Sequence, residues 1–408
     1  MRSVLDQAAR AASGRVIGAL AARFRDLDLA EDAFSGACLA AAQTWPRAGE
    51  PADPAAWLYR VALRHALDET RRRAVRARVI PDPPAPEPTA EARLAEETAI
   101  PDERLRLIFV CCHPAIAPDA RAALTLRLVC GLPAAEIAAA FLTPLPTLLQ
   151  RLTRAKRKIA EAGVPFEVPG PEGWTERLEA VLTTLEIAYA KAHADAAGEG
   201  PFAGHAAEVL GLTASLAGML PNEGEVLGLA ALVRYAEARR PARVDACGRM
   251  VPLAEQDPAL WSRALIAEGD EFLYRAWNLG AGGPRALSAA IHGVWCARPS
   301  LADVAPWPEV LRLYDAMLAQ RDDAVVRLNR AVALAEVAGP GAALIEVEAL
   351  AGSRMSDFQP WHAVRADFLR RMGRLEESRA AYDAAIALAP GPAERAWLAS
   401  RKPQPSRR

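Results

Sequence analysis

The stretch DARAALTLRLVCGLPAAEIAAAFLTPLPTLLQRLTRAKRKI, residues 119–159, reads as a helix, a turn at Gly131, a short helix, a tight turn and a long helix. In the last helix, Leu145, Leu148, Leu149, Leu152 and Ile159 recur at helical spacing and predict one apolar stripe. Thr147, Arg151, Arg154 and Lys158 form a second, polar stripe, with Gln150 and Arg157 beside it. One face seeks a core and the other an anion. A solvated surface helix satisfies the stripe alone, but the whole stretch has the layout of a helix-turn-helix. Thr147, Gln150 and Arg151 lie in the early turns, where side chains reach base edges; Arg grips guanine and Gln adenine through paired hydrogen bonds. Arg154, Lys156, Arg157 and Lys158 lie further along and suit phosphates, which position without specifying. Thr143 is the expected helix cap, with Pro144 as the first helical residue.

Working outward, the 408 residues suffice for two or three domains. The net charge of -1 favours no partner, but the charge is segregated. Seven arginines stand between Trp57 and Arg78, against Asp68 and Glu69. From Val79 to Glu103 there are seven carboxylates against Arg93 alone. Such segregation suits a polyanionic partner. No cleavable apolar leader and no uncharged run of 18 apolar residues is present, so a soluble, cytoplasmic protein with no membrane partner is expected. Cys111, Cys112 and His113 adjoin, but no second pair stands at zinc spacing, and buried apolar thiols are expected there.

Alanine and leucine dominate, and alternating β-branched runs are nearly absent, so the expected class is all-α. Asp53-Pro54 and Asp257-Pro258 repeat the cap-then-proline device. PDPPAPEP, 81–88, is an extended linker, and VPFEVPGPEG, 164–173, is a second break. These divide the chain into 1–78, an acidic proline-rich linker at 79–103, then 104–163 and 172–402. In the last part, residues 328–350 and 363–390 align with a period near 34, matching Ala331 to Ala366 and Gly339 to Gly373. The pattern resembles tetratricopeptide (TPR) repeats, with an irregular helical bundle as the other reading.

Residues 136–159 resemble region 4 of the sigma-70 family, especially its extracytoplasmic-function (ECF) members. Leu142 replaces the usual turn glycine and Pro144 the usual capping serine. DLDLAEDAFSGAC, 26–38, is similar to sigma regions 2.1–2.2, and PAAWLYRVALRHALDETRRR, 54–73, to regions 2.3–2.4. The resemblance implies that the first of these helices docks on core RNA polymerase, which singles out Asp28, Glu31 and Asp32. The usual Gln-Glu pair is Ser35-Gly36 here. It also implies that the second helix holds the melted −10 strand. Arg60, Arg64 and Arg71 would track the backbone, and Trp57 and Tyr59 would stack on unstacked bases. Trp57 reads equally well as a core residue. The loop PRAGEPADP, 46–54, would cup a flipped base.

DERLRLIFVCCHP, 102–114, the stretch RRPARVDACGRMVPLAEQDPALW, 239–261, and the long tail resemble the ECF subgroup with a TPR-like extension. Such a tail would take a peptide or a regulatory protein. The expectation is therefore a sigma factor that binds core polymerase, reads −35 duplex with 145–158 and opens −10 DNA with 54–73. No phosphate loop, nucleophile–base pair or metal spacing points to an enzyme, a cofactor or a metal. Two other readings stand beside it: a helix-turn-helix regulator without sigma activity, and a TPR-type adaptor whose sigma-like half is vestigial.

Overall fold

In a computed structural model, the described residues are 2–77, 103–141, 143–167, 174–194, 205–280, 282–352, 355, 357–389 and 391–404. Helices make up the regular structure among them, as the composition predicts; a single isolated bridge pairs Val244 with Met250. The proline-rich linker and most of the second break lie outside the described residues. The chain forms two compact units, one of residues 1–192 with 201–215 and one of residues 193–200 with 216–408. The sequence divisions at 78, 104, 163 and 172 mark changes of pattern, and the spatial division falls elsewhere.

The first unit begins with α1 (Arg2–Phe24), α2 (Leu27–Ala48) and α3 (Pro54–Ala77), packed as a three-helix group. Asp26 caps α2, its Oδ1 accepting the Leu29 N–H at 2.9 Å, a bond of the kind worth about 1 kcal/mol. Asp53 does the same for α3 through Ala56 N–H. Four more helices follow: α4 (Arg104–Cys111), α5 (Pro118–Leu128), α6 (Ala134–Ala140) and α7 (Leu145–Glu161). The last three are the helix-turn-helix. Then come α8 (Trp174–Ala194) and α9 (His205–Met219).

Two glycines decide how α1 meets the helix-turn-helix. A Cβ on Gly14 would stand 1.9 Å from the Val129 carbonyl oxygen, and one on Gly131 would stand 1.9 Å from Ser13 Oγ. Gly131 also has φ +68°, in the left-handed region where side chains strain. Bare backbone on both sides lets α1 seat against the turn that follows α5.

α8 and α9 are held to the same body. Cys112 donates its thiol hydrogen bond towards Thr184 Oγ1 at 3.5 Å, and Arg104 pairs with Glu208. Cys111, Cys112 and Cys130 are buried free thiols, as expected from their apolar setting. Burial raises each of them, Cys130 to about 12.

The second unit contains α10 (Gly224–Ala238), α11 (Arg263–Asn278), α12 (Pro284–Cys296), α13 (Trp307–Gln320), α14 (Ala324–Ala338), α15 (Pro340–Ala349), α16 (Gln359–Arg371), α17 (Leu375–Leu388) and α18 (Pro392–Arg401). The segment 239–261 is irregular and organised by its polar residues. Asp245 Oδ1 accepts from the N–H groups of Arg249 and Cys247. The Arg249 N–H bond does most to hold that carboxyl below the usual range. Gln256 is buried and donates to the Val251 carbonyl, while Asp257 caps a short 3-10 turn through Ala259 N–H. The repeat has a structural counterpart. Ala331 and Ala366, matched by sequence, both have zero exposure where the helices of each hairpin meet. Gly339 and Gly373, also matched, turn their hairpins at φ +91° and +78°. Trp361 Nε1 donates to the Val347 carbonyl at 2.8 Å and ties one hairpin to the next.

Burial makes a direct prediction about the six cysteines. At neutral pH the folded chain shows one fast-reacting thiol, the exposed Cys247, and a slower one at half-buried Cys38. Cys111, Cys112, Cys130 and Cys296 react only after denaturation. Labelling with a chromogenic disulfide, with sites mapped by mass spectrometry, checks this order. Fast labelling of Cys111 or Cys112 contradicts it.

Candidate nucleic-acid interface

Helix α7 is anchored by Leu148, Leu152, Ala155 and Ile159, all buried, at spacings of four, three and four. This corrects the expected stripe at two places. Leu145 and Leu149 are 39% and 47% exposed, because they lie on the flank of the buried row and Ala155 takes the central position. The expected cap is also corrected. Thr143 Oγ1 donates back to the Phe141 carbonyl at 3.1 Å, and Pro144 stands at the cap position, accepting Leu148 N–H at 3.1 Å. The helix thus starts one residue later than the sequence suggested.

Thr147, Gln150, Arg154, Arg157 and Lys158 project into solvent from α7. Arg157 has a loose i,i+4 partner in Glu161 at 3.4 Å. Arg151 is half-buried and already engaged in an interaction of its own. Lys156 differs. At about 100° per residue, it lies across the helix from Thr147, Arg151, Arg154 and Lys158, on the flank of Leu149. There its ammonium meets Asp28 Oδ1 at 2.5 Å and Glu31 Oε2 at 3.1 Å. Burial works against that charge, but the hydrogen bonds and charges of the two carboxylates outweigh it and raise the lysine above its ordinary value. Sequence grouped Lys156 with the phosphate contacts by charge; its direction on the helix assigns it an internal partner.

On α3, Arg60, Arg64 and Arg71 fall on one exposed stripe, with Trp57 at its upper end. Trp57 is half-buried, its ring edge-to-face with buried Trp45 at 5.5 Å. It presents part of an aromatic surface on a rigid base. Tyr59 is a correction. It points about 100° away from that stripe, is only 4% exposed, and packs inside the three-helix group. No base can stack on it in this conformation.

On α2, Asp28 and Asp32 are exposed and Glu31 is half-buried. Glu31 also accepts from Arg127 Nε at 2.7 Å. A further pair, Arg10 Nη2 with Glu136 Oε1 at 2.8 Å, joins α1 to α6. Two of the three acids chosen as docking residues, Asp28 and Glu31, are thus in contact with the helix-turn-helix. Arg127, Arg10 and Glu136 were not singled out by sequence, since ion pairs 96 and 126 residues apart leave no local pattern. No group of metal-binding side chains occurs among the described residues, and no described helix is long and apolar enough to cross a membrane.

Residues 9–76, which span α1 to α3, match sigma-70 region 2. Residues 106–159, which span α4 to α7, match sigma-70 region 4. Residues 177–277 match a family of unknown function, DUF6596. An uncharacterized protein of Rhizobium meliloti (strain 1021) is 39% identical over 399 residues, covering 97% of this chain and 94% of its own length. No solved structure matches. Regions 2 and 4 of the sigma-70 family are thus both present, in order and on the helices that carry the exposed basic stripes.

Proposed function

We propose that this chain is an ECF-type sigma factor that directs core RNA polymerase to particular promoters, with a TPR-like C-terminal domain that supports its activity. The observation that carries the reading is a pair of solvent-facing basic stripes on two family-matched helices. One is Thr147, Gln150, Arg154 and Lys158 on α7, facing away from the buried Leu148–Ile159 row. The other is Arg60, Arg64 and Arg71 on α3, headed by Trp57. In this reading α7 enters the −35 major groove, and α3 tracks the melted −10 strand with Trp57 offering a stacking face. The carboxylates of α2, including exposed Asp32, contact the polymerase. The parts 1–78, 79–103, 104–163 and 172–402 act as docking and −10 element, connector, −35 element and supporting domain.

The packing of α8 and α9 supports a positive role for the tail. They supply Thr184 to Cys112 and Glu208 to Arg104, so region 4 uses the tail as part of its own body. A hairpin repeat further along presents a surface suited to a peptide or a regulatory protein. Specific base reading by α7 alone, without polymerase, is the helix-turn-helix regulator alternative; a vestigial sigma half with an adaptor tail is the other. Binding energetics separate reading from positioning. Gln150→Ala lowers affinity by about 1–3 kcal/mol at one −35 base pair and relaxes the preference there. Lys158→Ala weakens binding at every sequence and makes the salt slope shallower by about one unit. Equal loss at all sequences for Gln150→Ala, or an unchanged slope for Lys158→Ala, contradicts the assignment.

Reconstituted transcription with core polymerase tests the function itself. Full-length chain gives promoter-dependent transcripts, whereas DNA binding without transcripts supports the regulator and neither result supports the adaptor. A truncation to 1–165 loses both activity and thermal stability, because Cys112 and Arg104 lose their covering helices. A folded 1–165 chain with equal or higher activity contradicts the supporting role of the tail.

A further inference from the structure

The second unit contains a cavity of about 620 Å³, walled by α10, α11, α12, α13 and the loop 297–306. That volume falls within the range of small-molecule sites, roughly 300–1,000 Å³. Trp277 and Val304 line it although they are 41% and 92% exposed, so apolar surface is left to water there. Behind them the floor includes Tyr235, which is only 1% exposed. Two glycines make the slot for its ring. A Cβ on Gly269 would stand 2.9 Å from ring Cε1, and one on Gly293 would stand 3.1 Å from the phenol oxygen.

The charged groups of the lining are unevenly committed. Asp270, Asp303 and Glu309 line the cavity against one guanidinium, that of Arg298. Arg298 is spent on the backbone: Nε donates to the Asp303 carbonyl at 3.0 Å, Nη1 to Ala254 at 2.9 Å and Nη2 to Leu301 at 2.8 Å. It folds the loop and has little left for an anion. The carboxylates are freer. Asp270 Oδ1 accepts the Tyr235 phenol at 2.7 Å, and among the described residues no basic side chain pairs with Asp270. Glu309 has a loose partner in Arg312 at 3.8 Å, and Asp303 Oδ2 accepts the Ser300 hydroxyl at 2.7 Å. Burial first, and then the bond to Asp270, raises the Tyr235 phenol far above its ordinary value, so it stays a donor. A seated phenol therefore fixes the Asp270 carboxylate at the cavity wall.

We infer that this cavity binds a small organic cation, an ammonium or guanidinium carried on an apolar body, with Asp270 as its principal anchor. The charge meets Asp270 and Glu309, and the body lies along Leu273, Val294 and Trp277, which share the lining. An indole adds to the selection, since its ring face attracts a cation. The site belongs to the second unit and is independent of the sigma-factor reading, because binding is measured without polymerase or DNA.

The test titrates the full-length chain with phenethylammonium and phenethylguanidinium by calorimetry and saturation-transfer NMR. Phenylpropionate and phenylethanol serve as the anionic and neutral counterparts, and acetyl-Ala-Arg-Ala amide as the peptide arm. At least one small cation is expected to bind saturably, and both counterparts roughly tenfold more weakly or not at all. Asp270→Asn, which keeps an acceptor for the phenol, weakens that binding roughly five- to tenfold. Ala297→Trp, at an exposed position of the lining, fills the cavity and abolishes it. Circular dichroism confirms that each variant is folded. Equal binding of phenylpropionate or phenylethanol overturns the selection for charge, and unchanged affinity in a folded Asp270→Asn chain overturns the anchor. Retained binding in Ala297→Trp overturns the cavity as the site, and decides the matter if Asp270→Asn does not fold. No binding of either small cation at millimolar concentration overturns the proposal, and binding of the peptide alone assigns the cavity to an arginine side chain of a partner instead.

Discussion

The carbonyl of Val129 lies where a side chain on Gly14 would have to go, and the remaining organisation of the first unit follows from that approach. Because α1 meets the α5 turn backbone to backbone, the two sigma regions form one body. The same approach brings Arg127 and Lys156 within reach of Glu31, and Arg10 within reach of Glu136. Charges that are scattered along the sequence become a clasp. Its strength is bounded by the physics of partly exposed ion pairs, which are individually weak and sensitive to salt. Several such contacts surround a close-packed seat.

The helices at each end of the first unit extend this logic. Region 4 is seated on region 2 through α1 and completed by α8 and α9, which begin the stretch matching a family of unknown function. Thr184 and Glu208 therefore belong to the region-4 body in space, although sequence pattern assigns them to the tail. In the second unit, the same economy appears at Ala331 and Ala366, where small residues let paired helices approach.

Much of this was legible in the sequence, and the misses have identifiable causes. Helical periodicity gave the all-α class, because amphipathic spacing is local and strong. The motif at 119–159 and the arginines of α3 were readable for the same reason, and Asp53 and Asp257 cap as their context predicts. The Thr143 cap was misread because Pro144 is held at the cap position itself and Thr143 turns its hydroxyl back to Phe141. Tyr59 was grouped with Trp57 as an aromatic, but two residues along a helix separate them by about 200°, which turns one outward and the other into the core. Lys156 was grouped with its charged neighbours on composition, whereas its direction gave it to Asp28 and Glu31. The seat itself had one sequence sign, Gly14 and Gly18 four residues apart in α1, which marks a helix face without side chains. Its partner at Gly131 lies more than a hundred residues away, and nothing local connects the two.

The central claim is that α2 meets core polymerase while the exposed stripes of α3 and α7 meet promoter DNA. Hydrogen exchange of the full-length chain, alone, with core RNA polymerase, and with polymerase and promoter DNA, measures each contact. The account predicts that polymerase slows exchange along α2, over residues 27–35, and that added promoter DNA slows it along α3 and α7, over residues 57–71 and 145–158. Unchanged exchange along α2 with polymerase, or along both α3 and α7 with DNA, contradicts it.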